Sequence, residues 1–268
     1  MNADLTIACL QLNSNQSVAD NLSLIKQISL QALQQDRVQA IALPENAFCH
    51  PYHPQFQPEL DAVLPELQTF AKEHKLWIFS GSIPTPCNEN KGKVFSRLNV
   101  IDSEGNIISF YDKIHLFDVH VPEENVDYRE SDRFEAGEEV VVVETPWGNI
   151  GLAICYDLRF PELFRVMESH HPFAFVVPSA FTFHTGKKHW QHLLSARAVD
   201  NFAWVLAPNQ AGEHPGGRST FGHTSIVNPN GDIVAQLKEC VGYVAHTINA
   251  NMGSELRKHI PLQEHRKI

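Results

Sequence analysis

Short apolar runs bounded by turn residues alternate along this chain with segments whose apolar positions recur at helical spacing. LTIACLQL reads as a strand, the stretch from Ser17 to Gln35 puts Leu22, Ile25, Ala32 and Leu33 on one helical face, and VQAIALP reads as the next strand. A further helix is predicted from about Pro58 to His74, leading into the strand LWIFSGSIP. VFSRLNVIDSEGNIISFYDK then reads as a hairpin turning at Glu104-Gly105-Asn106. The acidic stretch HVPEENVDYRESDRFEAGEE reads as a loop. A second hairpin, EVVVVETPWGNIGLAICYD, turns at Pro146-Trp147-Gly148-Asn149, and its second strand ends at a cysteine. Beyond it lie a helix near Pro161 to Ser169, the strand FAFVVP, a helix from about Lys187 to Asp200 and the strand FAWVLAP. The late strands HTSIVNP and DIVAQL flank Asn230-Gly231. Crossover units and hairpins occur together, which suits an α/β arrangement of two sheets packed face to face, each covered by helices on its outer side. No composition break, linker or repeat interrupts the series, so residues 1–268 are expected to form a single domain.

Composition narrows the function classes. Of 268 residues, 43% are hydrophobic and 19% charged, a balance that supports a full core and excludes a natively unfolded chain. The 31 acidic against 21 basic residues give a formal net charge of -10, so the footprint of a generic nucleic-acid or anionic-membrane binder is missing. The opening stretch MNADLTIACLQLNSNQ lacks both a basic flank and a long apolar run, from which neither a signal peptide nor a membrane span is expected, and a cytoplasmic location follows. The five cysteines are odd in number, widely spaced and form no C-x-x-C pair, which argues against a disulfide framework or zinc knuckle and leaves room for a reactive thiol. The 15 histidines include His50 with His53 and His189 with His192, but no H-E-x-x-H and no recognisable ligand set accompanies them, so no metal site is expected. Phosphate-binding loops, the dinucleotide fingerprint and the serine-hydrolase elbow are all missing.

Three residues stand where apolar strands stop: Glu45 after AIALP, Lys113 after ISFYD and Cys155 after NIGLAI. A cysteine attacks as its thiolate and needs a base and a cation nearby, which a glutamate and a lysine supply. Spacing alone leaves a plainer reading of each open: a small buried thiol, a carboxylate capping the next segment and a solvated strand-end charge.

The local wording is more specific. ALPENAF, YDKIHLFD and GLAICYDLRFPEL, in that order, resemble the nitrilase or carbon-nitrogen hydrolase superfamily with its Glu-Lys-Cys triad. The resemblance continues through VPSAFTFHTGKKHWQHLLSARAVDN, GRSTFGHTSIVNPNG and LRKHIPLQEHRK, and is strongest to the amidase branch that includes deaminated-glutathione amidases. It implies a four-layer αββα sandwich, a homodimer, no cofactor and a small-molecule amide substrate. It also implies Glu45 as base, Cys155 as nucleophile, and Lys113 with the Tyr156 backbone N–H as stabilisers of the tetrahedral intermediate. Glu130, in YRES, matches an additional glutamate that holds the lysine in related amidases. Arg159 is open between a core ion pair and a substrate carboxylate, Phe181, Thr182 and Phe183 are candidate walls of the acyl pocket, and Arg197 and Arg218 are further candidate carboxylate partners. The expected substrate is a carboxylate-bearing amide, deaminated glutathione first, with α-ketoglutaramate as the alternative within the class. A non-catalytic binding protein of the same fold and a zinc hydrolase are the rivals outside it.

Overall fold

The first half of the chain runs β1 (Leu5–Gln11), α1 (Val18–Asp36), β2 (Ala40–Ala42), α2 (Gln57–Leu60), α3 (Val63–His74), β3 (Trp77–Phe79), β4 (Ile83–Pro86), β5 (Val94–Ile101) and β6 (Ile107–Asp112). Three short strands follow, β7 (Asp118–Val121), β8 (Val126–Arg129) and β9 (Phe134–Glu135). The second half runs β10 (Val142–Thr145), β11 (Gly148–Leu152), α4 (Pro161–Glu168), β12 (Ala174–Val176), α5 (Phe183–Asn201), β13 (Trp204–Ala207), β14 (Ala211–Glu213) and β15 (Ser219–Phe221). It closes with β16 (Ser225–Val227), β17 (Ile233–Gln236), β18 (Gly242–Ile248), α6 (Met252–His259) and α7 (Leu262–His265). This computed structural model describes residues 4–90, 92–123 and 125–267, so the first three residues of the opening stretch and Glu124 of the acidic segment lie outside the described residues.

One sheet has the order β18-β1-β2-β3-β5-β4, with β6 and β9 also pairing β5; the other runs β10-β11-β12-β13-β16-β17. Parallel pairs come from the crossover helices and antiparallel pairs from the hairpins, as the mixed sequence pattern requires. Strand alternation sets the layers. On β1 to β3, Leu5, Ile7, Cys9, Ala40, Ala42, Trp77 and Phe79 face the second sheet, joining Ile150, Leu152 and Val176 in one core. Their neighbours Ala8, Leu10, Ile41, Leu43 and Ile78 face the other way, onto Ile25, Ile28 and Ala32 of α1 and Val63, Leu67 and Phe70 of α3. On the far side of the second sheet α4 and α5 pack Phe164, Met167, Trp190 and Leu194, with the Phe164 and Phe175 rings 5.0 Å apart. The order is helices, sheet, sheet, helices: the αββα sandwich expected.

The structure corrects several boundaries. The helix expected over Pro58 to His74 breaks at Asp61 and Ala62 into α2 and α3, and the helix expected from Lys187 starts at Phe183. Leu22 and Leu33 of α1 are only partly buried, because Val18, Asn21, Ile25, Ile28, Ser29 and Ala32 form the inner stripe. The acidic segment is not a plain loop: Val119, Val121, Val126 and Tyr128 alternate along the hairpin β7–β8, paired from Asp118↔Arg129 to Val121↔Val126. β18, which the apolar pattern did not single out, pairs antiparallel with the whole of β1 from Leu5↔Ile248 to Gln11↔Gly242.

Candidate active site

Cys155 follows β11 by way of Ala153 and Ile154 and opens a 3-10 turn over Cys155–Arg159. Its φ of 49° is left-handed, a conformation that costs a side chain with a Cβ and persists where surrounding bonds enforce it. Those bonds are visible: Cys155 N–H donates to Pro178 O at 2.9 Å and Ile154 N–H to Asp157 Oδ2 at 2.8 Å. The thiol is thereby lifted off the strand axis into a cleft.

Glu45 follows β2 on the neighbouring sheet. Its loop lies so close to Gly81 that a Cβ there would sit 2.1 Å from Pro44 O, and Gly81 has φ +67°. Gln210 braces the same loop from the second sheet, donating to Glu45 O at 3.0 Å and to Ser14 Oγ at 2.8 Å. The carboxylate is held at both oxygens, by Lys113 Nζ on Oε1 at 2.7 Å and by Ala180 N–H on Oε2 at 2.9 Å. Lys113, just past β6, is buried and also donates to Glu130 Oε1 and Oε2 at 3.0 and 2.8 Å. Glu130 arrives through the unforeseen hairpin: it follows β8, and Phe117 N–H donates to its Oε2 at 2.6 Å.

Charge in this cluster decides the resting protonation. Burial pulls the Lys113 ammonium down, but the carboxylates of Glu130 and Glu45 outweigh it and hold the group well above its ordinary value. Burial pushes Glu130 up against the pull of Lys113. Burial, then the adjacent Glu45 charge, pushes the Cys155 thiol well up, with Lys113 and the Ala180 N–H opposing. Burial and the neighbouring Glu45 charge thus both favour the protonated thiol over a buried thiolate.

The cleft encloses about 300 Å³ and is lined by Glu45, Lys113, Glu130, Cys155, Tyr156, Phe181 and Thr182, all expected from the sequence. The arginines divide. Arg197 is buried, donating to Leu158 O at 3.0 Å and pairing with Asp200 at 2.9 Å, so it holds the segment behind the nucleophile and does not line the cleft. Arg159 lies behind the wall, 5.4 Å from the Phe181 ring and 3.3 Å from His189 Nδ1. Arg218 lines the mouth, 5.0 Å over the Tyr128 ring, joined there by Arg129 and Arg133, which no sequence motif marked. Phe183 heads α5 and packs towards Phe221 at 6.2 Å. Asp157, Gln210 and, as a residue of the cleft, His50 were not anticipated either; the one local signal for Asp157 was an acid two residues past the cysteine that ends the apolar run. Among the described residues no three of His, Cys, Asp and Glu converge as a metal ligand set, and no helix is long and apolar enough to cross a membrane.

Two sheets meet around a buried Glu-Lys pair beside a strand-end cysteine, and comparison with known proteins gives the class: residues 6–258 match the carbon-nitrogen hydrolase family, to which this chain belongs. It is 35% identical over 266 residues to a deaminated glutathione amidase from Yersinia enterocolitica, covering 97% of this chain and 92% of that one. Identity to a deaminated glutathione amidase from Synechocystis sp. is 36% over 265 residues, covering 97% of each. Identity to omega-amidase NIT2 from Homo sapiens is 31% over 261 residues, covering 96% and 92%. Among solved structures, the C. elegans NitFhit protein superimposes with a TM-score of 0.92 at 31% identity, matching 99% of this chain, which spans 66% of that longer one. Saccharomyces cerevisiae Nit3, of the nitrilase superfamily, gives a TM-score of 0.88 at 26% identity, covering 99% and 97%.

Proposed function

We propose that the protein hydrolyses the amide bond of a small carboxylate-bearing amide, deaminated glutathione first, through a thioester on Cys155. The observation that carries the reading is the meeting of Glu45, Lys113 and Cys155, from separate strand ends, in one cleft. Glu45 takes the thiol proton as Sγ attacks the amide carbon. Lys113 and the Tyr156 backbone N–H stabilise the oxyanion. The C–N bond then breaks, the amine leaves with the proton from Glu45, and the acyl group stays as a thioester. Glu45 next deprotonates a water that attacks the thioester, releasing a carboxylate and restoring the thiol. Glu130 orients Lys113 throughout, its two oxygens fixing the ammonium from the side away from Glu45. In deaminated glutathione the bond cut is the γ-amide between the α-ketoglutaryl and cysteinylglycine parts.

A protein of net charge -10 repels anions at long range, and Arg218, Arg129 and Arg133 at the mouth supply the local opposite charge. Identity to deaminated glutathione amidases at 35 and 36%, against 31% to an omega-amidase, favours the larger substrate over α-ketoglutaramate. Measurement of kcat/KM for deaminated glutathione, α-ketoglutaramate and a neutral aliphatic amide, repeated with Arg218→Ala, tests the reading. The expected order is that given, with KM for the acids raised about tenfold or more by the substitution through the lost charge-assisted pairing. Faster cleavage of the neutral amide would overturn the carboxylate assignment. The same proposal includes a homodimer, which the family resemblance implies, and a cytosolic setting, in which a free nucleophilic thiol persists. Sedimentation equilibrium reads the former.

A further inference from the structure

Cys155 and Lys113 belong to different sheets: Lys113 follows β6 in the first, and Cys155 follows β11 in the second. Nothing in strand pairing fixes their separation, because no backbone ladder crosses between sheets. Asp157 spans that gap. Asp157 is fully buried, and its two oxygens accept four bonds. On the Cys155 side, Oδ2 takes the Ile154 N–H at 2.8 Å, the residue directly before the nucleophile. On the Lys113 side, Oδ2 takes the Tyr111 hydroxyl at 2.8 Å, and Oδ1 takes the His115 N–H at 3.1 Å and faces its Nδ1 at 2.7 Å. Tyr111 and His115 flank Lys113 in the chain, and the Tyr111 oxygen also accepts from Ile114 N–H at 3.3 Å.

We infer that Asp157 is a positioning residue whose carboxylate ties the turn carrying Cys155 to the segment carrying Lys113 and so fixes the nucleophile against the ammonium across the sheet-to-sheet boundary. A carboxylate suits this role because it is acceptor-only, its two oxygens offer about four lone-pair directions, and all its partners here can be donors. Burial, then the Asp157 charge, pushes the Tyr111 phenol well above its ordinary value, which keeps it a donor. The His115 ring, stacked on Phe160 at 3.6 Å, has no freedom to swing from its bond. An apolar side chain at this position would leave the Ile154 and His115 N–H groups and the Tyr111 hydroxyl without their acceptor, so the carboxylate is what allows the two segments to meet here.

The inference rests on Cys155 and Lys113 being the reacting groups, so Cys155→Ala is measured alongside. The brace variants are Asp157→Asn, Asp157→Ala and Tyr111→Phe, each checked for native circular dichroism and a melting temperature above that of the assay. Two readouts are taken: kcat and KM for deaminated glutathione, and the rate at which iodoacetamide alkylates Cys155, followed by mass spectrometry of its peptide. Asp157→Ala is expected to lower kcat about 100-fold with KM changed less than about twofold, the signature of misplaced reacting atoms. Asp157→Asn, which keeps acceptor capacity, should recover part of the loss, and Tyr111→Phe, which removes one tie, should cost about tenfold. Alkylation, which does not require Lys113 to meet a substrate oxygen, should slow far less than turnover. Folded variants with lowered melting temperature but native kcat would reduce Asp157 to a stabiliser and overturn the inference, as would a loss confined to KM. Should the Asp157 variants not fold, Tyr111→Phe and His115→Gln decide by the same criteria. Activity surviving in Cys155→Ala would instead overturn the triad, a separate outcome.

Discussion

Five thiols sit in this chain, and their surroundings separate them. Cys9 is buried among apolar side chains, and burial drives its pKa far up; Cys49 is pushed up to about 11, by burial first. Cys240 is exposed. The Cys155 thiol has the Glu45 carboxylate and the Lys113 ammonium acting on it. Cys155→Ala should therefore lower turnover on the order of 10⁴-fold or more with the melting temperature nearly unchanged, and Cys240→Ser should leave steady-state kinetics as they are. Native turnover by folded Cys155→Ala would refute the assignment. Glu45, Lys113 and Cys155 were legible because each is a reactive group ending an apolar run, a local signal. Gln210 and Asp157 act through partners far along the chain, Glu45 for one and Tyr111 and His115 for the other, and no local pattern carries such a pairing.

At the scale of elements, the site depends on loops held at close quarters. Gly81, between β3 and β4, admits the Glu45 loop because it lacks a Cβ and sits at φ +67°. Gly81→Ala adds about 1–2 kcal/mol of left-handed strain, and the clash with Pro44 O must push the Glu45 loop away. The expected result is a melting temperature lowered by several degrees together with a drop in kcat well beyond what the folded fraction explains. A drop in stability with kcat per folded molecule unchanged would show that the loop has room to adjust. Long periodic elements were readable: α1, the β5–β6 and β10–β11 hairpins and the crossover strands all appear where the pattern put them. The β7–β8 hairpin was not, because its short apolar alternation is embedded in charges that suit a solvated segment, and with it went the physical route by which Glu130 reaches Lys113. β18 escaped for a different reason. Its residues are mostly half-buried, since it forms the edge of its sheet, and its identity as a strand comes from pairing with the distant β1.

The molecule as a whole places His50 at its cleft wall with His214 packed against it, and this pair sets a pH limit. His50 is buried, neither ring nitrogen has a hydrogen-bond partner among the described residues, and its ring meets His214 edge-on at 4.4 Å. Burial foremost, then the neighbouring His214 and the Arg218 charge, holds His50 well below the ordinary 6.5; burial also lowers His214, whose Nδ1 lies 2.9 Å from Ser14 O. A histidine depressed in the fold binds its proton more readily when unfolded. Its contribution to stability is therefore complete above about pH 6.5 and declines as pH falls below that value. Thermal melts should show stability falling from pH 7 to pH 5, with the slope reduced in His50→Phe; an identical slope in that variant would remove His50 from the account. Two helix-covered sheets suited the mixture of crossovers and hairpins, and the four-layer αββα sandwich was what the family resemblance implied. The arginines of the cleft were only partly legible, because Arg129 and Arg133 come from the acidic segment, which also lines the cleft with Asp127 and Asp132.

The central claim, that amide cleavage passes through an acyl group on Cys155 with Glu45 serving both half-reactions, is tested most directly by intact-mass spectrometry of Glu45→Gln mixed with deaminated glutathione under single-turnover conditions. Loss of the base slows thioester hydrolysis as well as its formation, so a fraction of the protein should gain one α-ketoglutaryl group, mapped by digestion to the peptide holding Cys155 and sensitive to hydroxylamine. An adduct on any other residue, or product released with no adduct at any time point, would contradict it.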